Sequence, residues 1–234
     1  MESQGKRLNK FIADSGYCSR READRLIEEG RVDVDGHPGA LGDRILPGMR
    51  VTVDGHPLSG RGEKVYLLLN KPVGVVCTAD PGEPMNVVDY LNYPVRIFPV
   101  GRLDKDSEGL LLLTSDGEIV NRILRAAGGH EKEYEVTVDR PVTREFLEQM
   151  AAGVPILDTV TLPCRVRRTG DRSFNIILVQ GLNRQIRRMC EALGYSVRSL
   201  RRIRIMNIRL GKLRPGQWRA LTDEELDGLL RRLG

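Results

Sequence analysis

The chain contains few of the residues that metalloenzymes and thiol enzymes use. Its 234 residues include four cysteines and three histidines, and no two cysteines form a CxxC pair. Structural zinc sites draw their ligands from short, paired spacings, so this scarcity argues against a metal centre. The sequence also lacks an evident cofactor-binding loop. We therefore expect neither a metal nor any other cofactor, and we interpret the dispersed cysteines as small reduced residues.

Long hydrophobic runs are missing too. No apolar stretch approaches the roughly 18 to 20 residues of a membrane-spanning helix. The first residues, MESQGKRLNK, lack the apolar core of a signal peptide. We therefore expect a cytoplasmic protein that does not bind membranes. A chain of 234 residues that is 40% hydrophobic can bury one sizeable core and a smaller second one, which predicts two domains.

Acidic residues are nearly absent from one long stretch. Between Arg165 and Arg214 there are 14 arginine or lysine residues and only two acidic ones, Asp171 and Glu191. This stretch has a charge of +12, and because the whole chain carries +5, the remainder carries −7. All but one of the 14 are arginine, whose planar guanidinium binds phosphate bidentately and stacks on bases. A solvated charged face is the alternative, but such faces usually mix signs, so the stretch favours nucleic-acid binding.

The first 36 residues predict two short helices and a hairpin. Ser19 opens the second helix with a capping box, in which its hydroxyl and the Glu22 carboxylate each bind a backbone amide. Gly30 supplies a left-handed residue after the helix. Two valines then alternate with polar residues up to Asp35–Gly36, a hairpin turn signal. These elements predict a small domain with a thin core.

The motif SRREADRLIEEGRVDVDG resembles the RNA-binding module named after small-subunit ribosomal protein S4. In that module the second helix and the hairpin grip structured RNA. The resemblance, rather than the composition, implies RNA contacts for Arg20, Arg21 and Arg25. We assign the module to residues 1–60, with a linker at about 57–64 that is rich in glycine and lacks apolar periodicity.

Residues 65–234 predict a larger domain in which strands alternate irregularly with helices. The order is neither a regular βαβ series nor all-β, so we predict an α+β fold with a mixed or antiparallel sheet. Leu110–Leu113 are four consecutive leucines between Gly109 and a turn at 115–117. This pattern predicts a strand that is buried on both faces.

Three polar clusters in this domain follow strands or begin helices: GRLDKDSEG, EKEYEVTV and GLNRQIRRM. Asp104 lies in the first, directly before the leucine strand. Taken alone, it could be a loop aspartate in surface ion pairs. Together, however, the clusters resemble the pseudouridine synthases, in particular the bacterial branch that modifies ribosomal RNA and carries the N-terminal module described above.

The resemblance implies an enzyme that converts uridine to pseudouridine. This isomerisation breaks the bond between N1 and C1′, turns the uracil and rejoins it through C5, with no redox change and no group lost. A carboxylate nucleophile shielded from water is sufficient covalent machinery. Asp104 matches the nucleophile of the family. The residues do not decide whether it attacks the ribose C1′ or the base.

An arginine is expected beside this carboxylate. In a closed apolar pocket a carboxylate would tend to protonate, and a nearby guanidinium reverses that tendency. By the motif match, Arg187 pairs with Asp104. Its neighbours Arg184 and Arg188 are expected to contact RNA phosphates, which is also the alternative for Arg187 itself.

Two further positions match the family. Tyr134 is expected to stack on the extruded uracil, with a core tyrosine as the alternative. Arg102 resembles the arginine that replaces the flipped uridine in the duplex or grips its phosphate. Asp106 is interpreted as an ordinary loop residue. Because only 5% of the chain is aromatic, Phe98 and Trp218 are interpreted as core residues rather than base platforms.

The expected partner is structured ribosomal RNA, with a large-subunit uridine as the substrate and the protein acting as a monomer. Two alternatives stay open. The same chemistry could act on small-subunit ribosomal RNA or on a transfer RNA. The chain could instead be a non-catalytic RNA-binding or ribosome-assembly protein, although Asp104, Tyr134 and Arg187 are all present.

Overall fold

The computed structural model describes residues 5–58, 63–80, 82–124 and 129–233. The chain divides into two compact units. The small unit comprises Met1–Val65, Pro94–Ile97 and Ser115–Gly117. The large unit comprises Tyr66–Tyr93, Phe98–Thr114 and Glu118–Gly234. Of the helices in the described ranges, none combines the length and the apolar character that crossing a membrane requires.

The small unit contains two helices and two antiparallel sheets. The helices are α1 (Leu8–Asp14) and α2 (Arg20–Glu28). The strands are β1 (Lys6–Arg7), β2 (Val32–Val34), β3 (His37–Pro38), β4 (Arg44–Ile45), β5 (Val51–Val53) and β6 (His56–Pro57). They pair in the order β3–β2–β5–β6, and β1 pairs with β4. Apolar residues of both helices and of β2, β4 and β5 form one small buried core, as the two-helix and hairpin pattern predicts.

The ends of α2 form largely as predicted. The Ser19 hydroxyl accepts a hydrogen bond from the Glu22 amide at 3.1 Å. The Glu22 carboxylate, however, pairs with Arg25 instead of reaching back, so only half of the predicted capping box is present. Gly30 has a φ of +68°, the left-handed conformation predicted after the helix.

The predicted linker at 57–64 begins inside the hairpin. Pro57 ends β6, and the Leu58 amide still donates to the Val51 carbonyl at 2.9 Å. Residues 59–62 lie outside the described residues.

The large unit contains five helices and eleven strands among its described residues. The helices are α3 (Val87–Leu91), α4 (Gly117–Leu124), α5 (Arg144–Ala152), α6 (Gln185–Ala192) and α7 (Asp223–Leu233). The strands are β7 (Tyr66–Lys71), β8 (Phe98–Pro99), β9 (Glu108–Thr114), β10 (Lys132–Val138), β11 (Pro155–Ile156), β12 (Thr159–Val160), β13 (Arg165–Arg168), β14 (Ser173–Leu178), β15 (Val197–Ile205), β16 (Ile208–Arg209) and β17 (Trp218–Ala220).

Nine of these strands form one mixed sheet. Its main path is β13–β14–β10–β15–β9–β7–β17, with β16 added to β15 and β8 added to β9. Every pairing is antiparallel except that of β15 with β9, which is parallel. The predicted α+β class with a mixed sheet is therefore confirmed. Strand β9 lies inside the sheet, and its leucines Leu110–Leu113 are at most 3% exposed, as their pattern predicts.

Helices cover the sheet over two apolar clusters. Residues of α5 and α6 pack with β10 and β14 in one cluster, and residues of α4 and α7 pack with β7 and β9 in the other. Tyr134 of β10 packs against the first cluster. The interpretation of Trp218 as a core residue is wrong, because it lies on the edge strand β17 and is 44% exposed. Its ring meets that of Tyr93 edge-on, with 5.4 Å between centroids.

Candidate active site

A cavity of about 760 Å³ opens in the large unit. Strands β10 and β15, the loop before β9 and the segment leading into α6 line it, and its volume is typical of pockets that hold a small ligand. The charged lining residues are Arg102, Asp104, Lys132, Arg184 and Arg202. Four of these five side chains are cationic. The lining therefore suits a negatively charged ligand, with Asp104 as its single carboxylate.

The loop before β9 is held firmly at Asp104. The preceding residue, Leu103, is buried, and its amide donates to the Cys77 sulfur at 3.3 Å. The Asp104 carbonyl accepts from the Ser107 amide at 3.0 Å, which forms a tight turn directly into β9. One third of the Asp104 side chain is exposed. The protein alone thus positions this carboxylate without enclosing it, so the closed apolar pocket expected from the sequence is not present.

Two arginines of the α6 region approach the Asp104 carboxylate. Arg184 is the N-cap residue of α6 and has a φ of +50°, an uncommon conformation for a residue with a side chain. Its Nη1 lies 3.6 Å from Oδ2 of Asp104. Arg187 lies almost one turn further along, with its Nε 4.0 Å from the same oxygen. The predicted Arg187–Asp104 pair is therefore at the limit of ion-pair distance, and Arg184 lies closer.

Asp106 is the carboxylate that both arginines contact more closely. Its two oxygens each accept from Arg184 at 3.3 Å, and Nη2 of Arg187 lies 3.4 Å away. Burial raises the pKa of Asp106, but the Arg184 hydrogen bond and the charges of both arginines outweigh it and hold the pKa below its ordinary value. The interpretation of Asp106 as an ordinary loop residue is incomplete, because the sequence alone does not show this contact. Its position, two residues after a candidate nucleophile in an Asp-Lys-Asp motif, was the available signal.

Arg187 is the more buried of the two arginines. Its side chain is 14% exposed, and its Nη2 donates to the Asp106 carbonyl at 2.9 Å and to the Ser107 hydroxyl at 3.1 Å. Its Nε is buried and has no hydrogen-bond partner among the described residues. Oδ2 of Asp104 lies 4.0 Å from that Nε, and a shift of about 1 Å would bring the two to hydrogen-bond distance.

Tyr134 lies on β10, with Ile176 of β14 on one side and Arg202 of β15 on the other. It is partly buried, packs against the apolar cluster under α5 and α6, and lines the cavity. The Tyr134 ring is therefore both part of the core and part of the wall of the cavity that Asp104 also lines.

The other predicted arginines are distributed unevenly. Arg102 is exposed and lines the cavity. The Arg188 guanidinium bonds to the carbonyl and side-chain oxygens of Asn183 at 3.1 and 3.3 Å. Asn183 lines the cavity, but Arg188 itself does not. The structure thus brings Arg102, Asp104, Tyr134 and Arg184 around one cavity, with Arg187 next to Asp104.

The three arginines predicted on α2 belong to the small unit. Arg20, Arg21 and Arg25 are all exposed. Arg25 pairs with Glu22 and Glu29 of the same helix, so its charge is partly compensated. No ion pair is found for Arg20 or Arg21 among the described residues, so their charges are more available to a ligand.

All four cysteines are free, and burial raises the pKa of each thiol. The pKa of Cys190 rises to about 12 and that of Cys164 to about 11. Cys77 lines the cavity, but burial raises its thiol pKa as well. Because a thiolate is not available there at neutral pH, Asp104 is the stronger candidate nucleophile. Within the described ranges, no group of three or more His, Cys, Asp or Glu side chains could hold a metal ion.

Comparison with known proteins gives the following matches. Residues 65–192 match the family model described as RNA pseudouridylate synthase, and residues 6–53 match the S4 domain model. The dual-specificity RNA pseudouridine synthase RluF of Escherichia coli strain K12 is 55% identical over 227 residues, which cover 96% of this chain and 78% of that protein. The ribosomal large subunit pseudouridine synthase B of Bacillus subtilis strain 168 is 36% identical over 232 residues, which cover 96% of this chain and 95% of that one.

One solved structure aligns with nearly the whole chain. It is a crystal structure of a pseudouridylate synthase, with a TM-score of 0.71 and 31% identity. The alignment covers 95% of this chain and 99% of the other.

Proposed function

The chain belongs to the RNA pseudouridylate synthase family, and from that premise we propose that it isomerises a specific uridine of large-subunit ribosomal RNA with Asp104 as the nucleophile. Membership makes the protein an isomerase that acts on RNA. The observation that carries the proposal is the cavity, whose lining contains one carboxylate, held at the start of β9 next to arginines and a tyrosine.

In the proposed reaction, the target uridine leaves its helix and enters the cavity. Asp104 attacks either the ribose C1′ or the base, and the bond between C1′ and N1 breaks. The uracil turns, C5 bonds to C1′, and the bond to Asp104 breaks, which regenerates the free carboxylate. C5 loses its proton and N1 gains one, so the product is an isomer of the substrate. The Tyr134 ring packs on the base, and Arg184 and Arg187 orient the Asp104 carboxylate. Arg102, exposed at the cavity, contacts the backbone or takes the place of the flipped base.

The relatives support the choice of RNA. The Bacillus subtilis relative is a ribosomal large subunit enzyme by name, which favours a large-subunit target here. The Escherichia coli relative is called dual-specificity, which favours a second RNA target for this chain as well. We propose that the S4 domain, through Arg20 and Arg21, helps to hold the structured RNA, and that the protein acts as a cytoplasmic monomer.

Pseudouridine mapping tests the proposal. Total RNA from cells with and without the gene is mapped by carbodiimide-stop reverse transcription, and the deletion is complemented with wild type, Asp104→Asn or Asp171→Asn. We expect one large-subunit signal, and a second in another RNA, to vanish on deletion and to return with wild type and Asp171→Asn. Asp171 is a matched control, because its side chain is 70% exposed and pairs with the neighbouring Arg168 and Arg172.

The Asp104→Asn protein should restore neither signal. In single turnover it should be slower by more than about 1,000-fold, as expected when a covalent nucleophile is lost. A rate within tenfold of wild type would refute the role of Asp104, and signals confined to small-subunit or transfer RNA would refute the large-subunit target.

A further inference from the structure

Arg202 occupies an unusual place in the cavity wall. It lies on β15, next to Tyr134 of β10 on one side and Gly109 of β9 on the other. Its residue surface is only 3% exposed, yet it lines the cavity. Its Nε donates to the Leu110 carbonyl at 2.7 Å, while its Nη2 is buried and has no hydrogen-bond partner in the part of the chain that the structure describes.

An unpaired donor on a buried cation is costly. Leaving such a group unsatisfied costs folding free energy, and the cost is larger when the group is charged. The backbone holds Arg202 there through Gly109, where an added Cβ would lie 2.3 Å from the Arg202 carbonyl oxygen. The fold thus fixes Arg202 tightly while leaving part of its guanidinium without an acceptor, and an oxygen atom of a ligand in the cavity can supply one.

Lys132 is a second cation on the same wall. It lies two residues before Tyr134 on β10, so both side chains point to the same side of the sheet, and both line the cavity. Its ammonium donates to the His130 carbonyl at 3.3 Å. Burial and the charge of Arg202 lower the pKa of Lys132. Within the described residues neither cation forms an ion pair, so both favour an anionic ligand.

We propose that Arg202 and Lys132 bind the carbonyl oxygens of the flipped uracil and stabilise the negative charge that the base acquires during the reaction. The inference rests on the proposed function. When the bond from C1′ to N1 breaks, its electron pair stays on N1 and spreads onto O2 and O4. If Asp104 adds to the base instead, the charge also moves onto a carbonyl oxygen. Both routes therefore need cations next to these oxygens, where they act more strongly on the transition state than on neutral uridine.

Thio-substituted substrates test which atoms are contacted. Single-turnover rates at saturating enzyme are measured on the RNA fragment identified by the mapping, with uridine, 2-thiouridine or 4-thiouridine at the target position. Sulfur accepts hydrogen bonds less well than oxygen. The variants are Arg202→Lys, Arg202→Met and Lys132→Met. The control is Arg201→Met on the same strand, because Arg201 pairs with Glu135 at 3.6 Å and is absent from the cavity lining.

We expect Arg202→Met and Lys132→Met to slow the reaction of normal uridine about 100-fold each, as for loss of one preorganised oxyanion donor. Arg202→Lys should retain part of the rate. If a side chain binds one carbonyl oxygen of the base, replacing that oxygen by sulfur should slow the wild-type enzyme. The same replacement should have little further effect in the variant that lacks the side chain, because the effects of two groups in direct contact are not additive. Arg201→Met should behave like wild type on all three substrates.

Three outcomes would overturn the inference. Full additivity with both thiouridines would show that neither side chain touches the base oxygens. A raised KM with a flatter salt dependence and an unchanged chemical rate would assign both cations to phosphate. Wild-type rates for Arg202→Lys and Lys132→Met would overturn it even if Arg202→Met failed to fold by circular dichroism. If wild type itself converts no uridine, the proposed function fails, and this inference falls with it.

Discussion

Strand β10 has two sides that use charge differently. Lys132 and Tyr134 face the cavity, and among the described residues the cations next to them have no acidic partner except around Asp104. On the other side, Glu131 (just before the strand), Glu133 and Glu135 each meet arginine. On one side of the sheet, arginine thus remains available to a ligand in the cavity. On the other side, arginine stabilises the fold through ion pairs.

The paired side corrects the interpretation of the arginine-rich stretch. The pairs are Glu131 with Arg165, Glu131 and Glu133 with Arg204, and Glu135 with Arg201. All three glutamates lie outside residues 165–214, so the charge of +12 counted along that stretch overstates what is available to RNA. An arginine count predicts nucleic-acid binding, but only the pairing shows which arginines can bind.

Among the residues around the cavity, substitutions of Arg187 should have the largest effect on the single-turnover rate. Arg187→Met should reduce the single-turnover rate by about 100-fold or more, because it removes the guanidinium that bonds to the Ser107 hydroxyl and lies nearest to Asp104 after Arg184. Arg187→Lys should reduce the single-turnover rate roughly tenfold, because lysine keeps the positive charge but lacks the planar guanidinium that can form two parallel hydrogen bonds.

Arg188→Met is the matched control for Arg187. Arg188 bonds to Asn183 and is absent from the cavity lining, so its loss should mainly raise KM and flatten the salt dependence. Equal effects of the two methionine variants on rate and KM would contradict a special role for Arg187.

Asp106→Asn should have a smaller effect on the same side. Asp106 anchors Arg184 and Arg187, so its neutral analogue should misplace both and lower the single-turnover rate roughly tenfold. The salt dependence of RNA binding should become steeper by about one ion, because one negative charge is removed from the cluster. Stopped-flow binding and quenched single-turnover assays measure the two effects. An unchanged rate, or an equal loss in the exposed control Asp171→Asn, would show that Asp106 is only a surface charge.

The paired side should affect folding and leave the chemistry nearly unchanged. Arg204 donates to Glu133 at 2.8 Å and to Glu131 at 3.0 Å, and its side chain is 11% exposed. Arg204→Met should lower the free energy of unfolding by about 3 kcal/mol, because it leaves a largely buried carboxylate without its partner. Urea denaturation measures the loss, and the single-turnover rate of the folded variant should stay within about threefold of wild type.

The contribution of this pair should depend on pH. Burial raises the pKa of Glu133, but the hydrogen bond and charge of Arg204 outweigh it, so the folded-state pKa lies below the unfolded value. The stabilisation is therefore complete above the unfolded pKa of about 4.3 and is lost as pH falls through the folded pKa. The difference in unfolding free energy between wild type and Arg204→Met should therefore become smaller below about pH 4.3. A difference that stays constant down to pH 3 would contradict the assignment. So would an equal loss of unfolding free energy in Arg201→Met, because Arg201 pairs with Glu135 and is more exposed than Arg204.

Local patterns predicted much of the fold, and long-range pairing accounts for what they missed. The leucines of β9 and the cap of α2 depend on neighbours in sequence, so they were predictable. Strand β15 was not predicted, because four arginines in its nine residues suggest a solvated surface. Two of them, Arg202 and Arg204, are buried by partners on β9 and β10 that lie far away in the chain.

The site shows the same division. The family motifs named Asp104, Tyr134 and Arg187, and the structure places the first two at one cavity, with Arg187 next to Asp104. Arg184, which was expected only to contact phosphate, lines the cavity and lies closer to Asp104 than Arg187 does. Asp106 and Arg202 were missed because their significance depends on what lies opposite them. A carboxylate between two guanidiniums, or a guanidinium arm without an acceptor, is a property of three-dimensional packing that residue type and spacing do not reveal.

The single parallel pairing in the sheet, between β15 and β9, also has a consequence for assembly. It joins two otherwise antiparallel halves, and the candidate chemistry is divided between them: the β9 half supplies Asp104, and the β10–β15 half supplies Tyr134, Lys132 and Arg202. Neither half contains a complete site. Because the pairing joins residues that are distant in sequence, its formation requires closure of a long loop and is intrinsically slow. A partly folded chain that has formed only one half would therefore hold RNA-binding arginines without the means to modify what they bind.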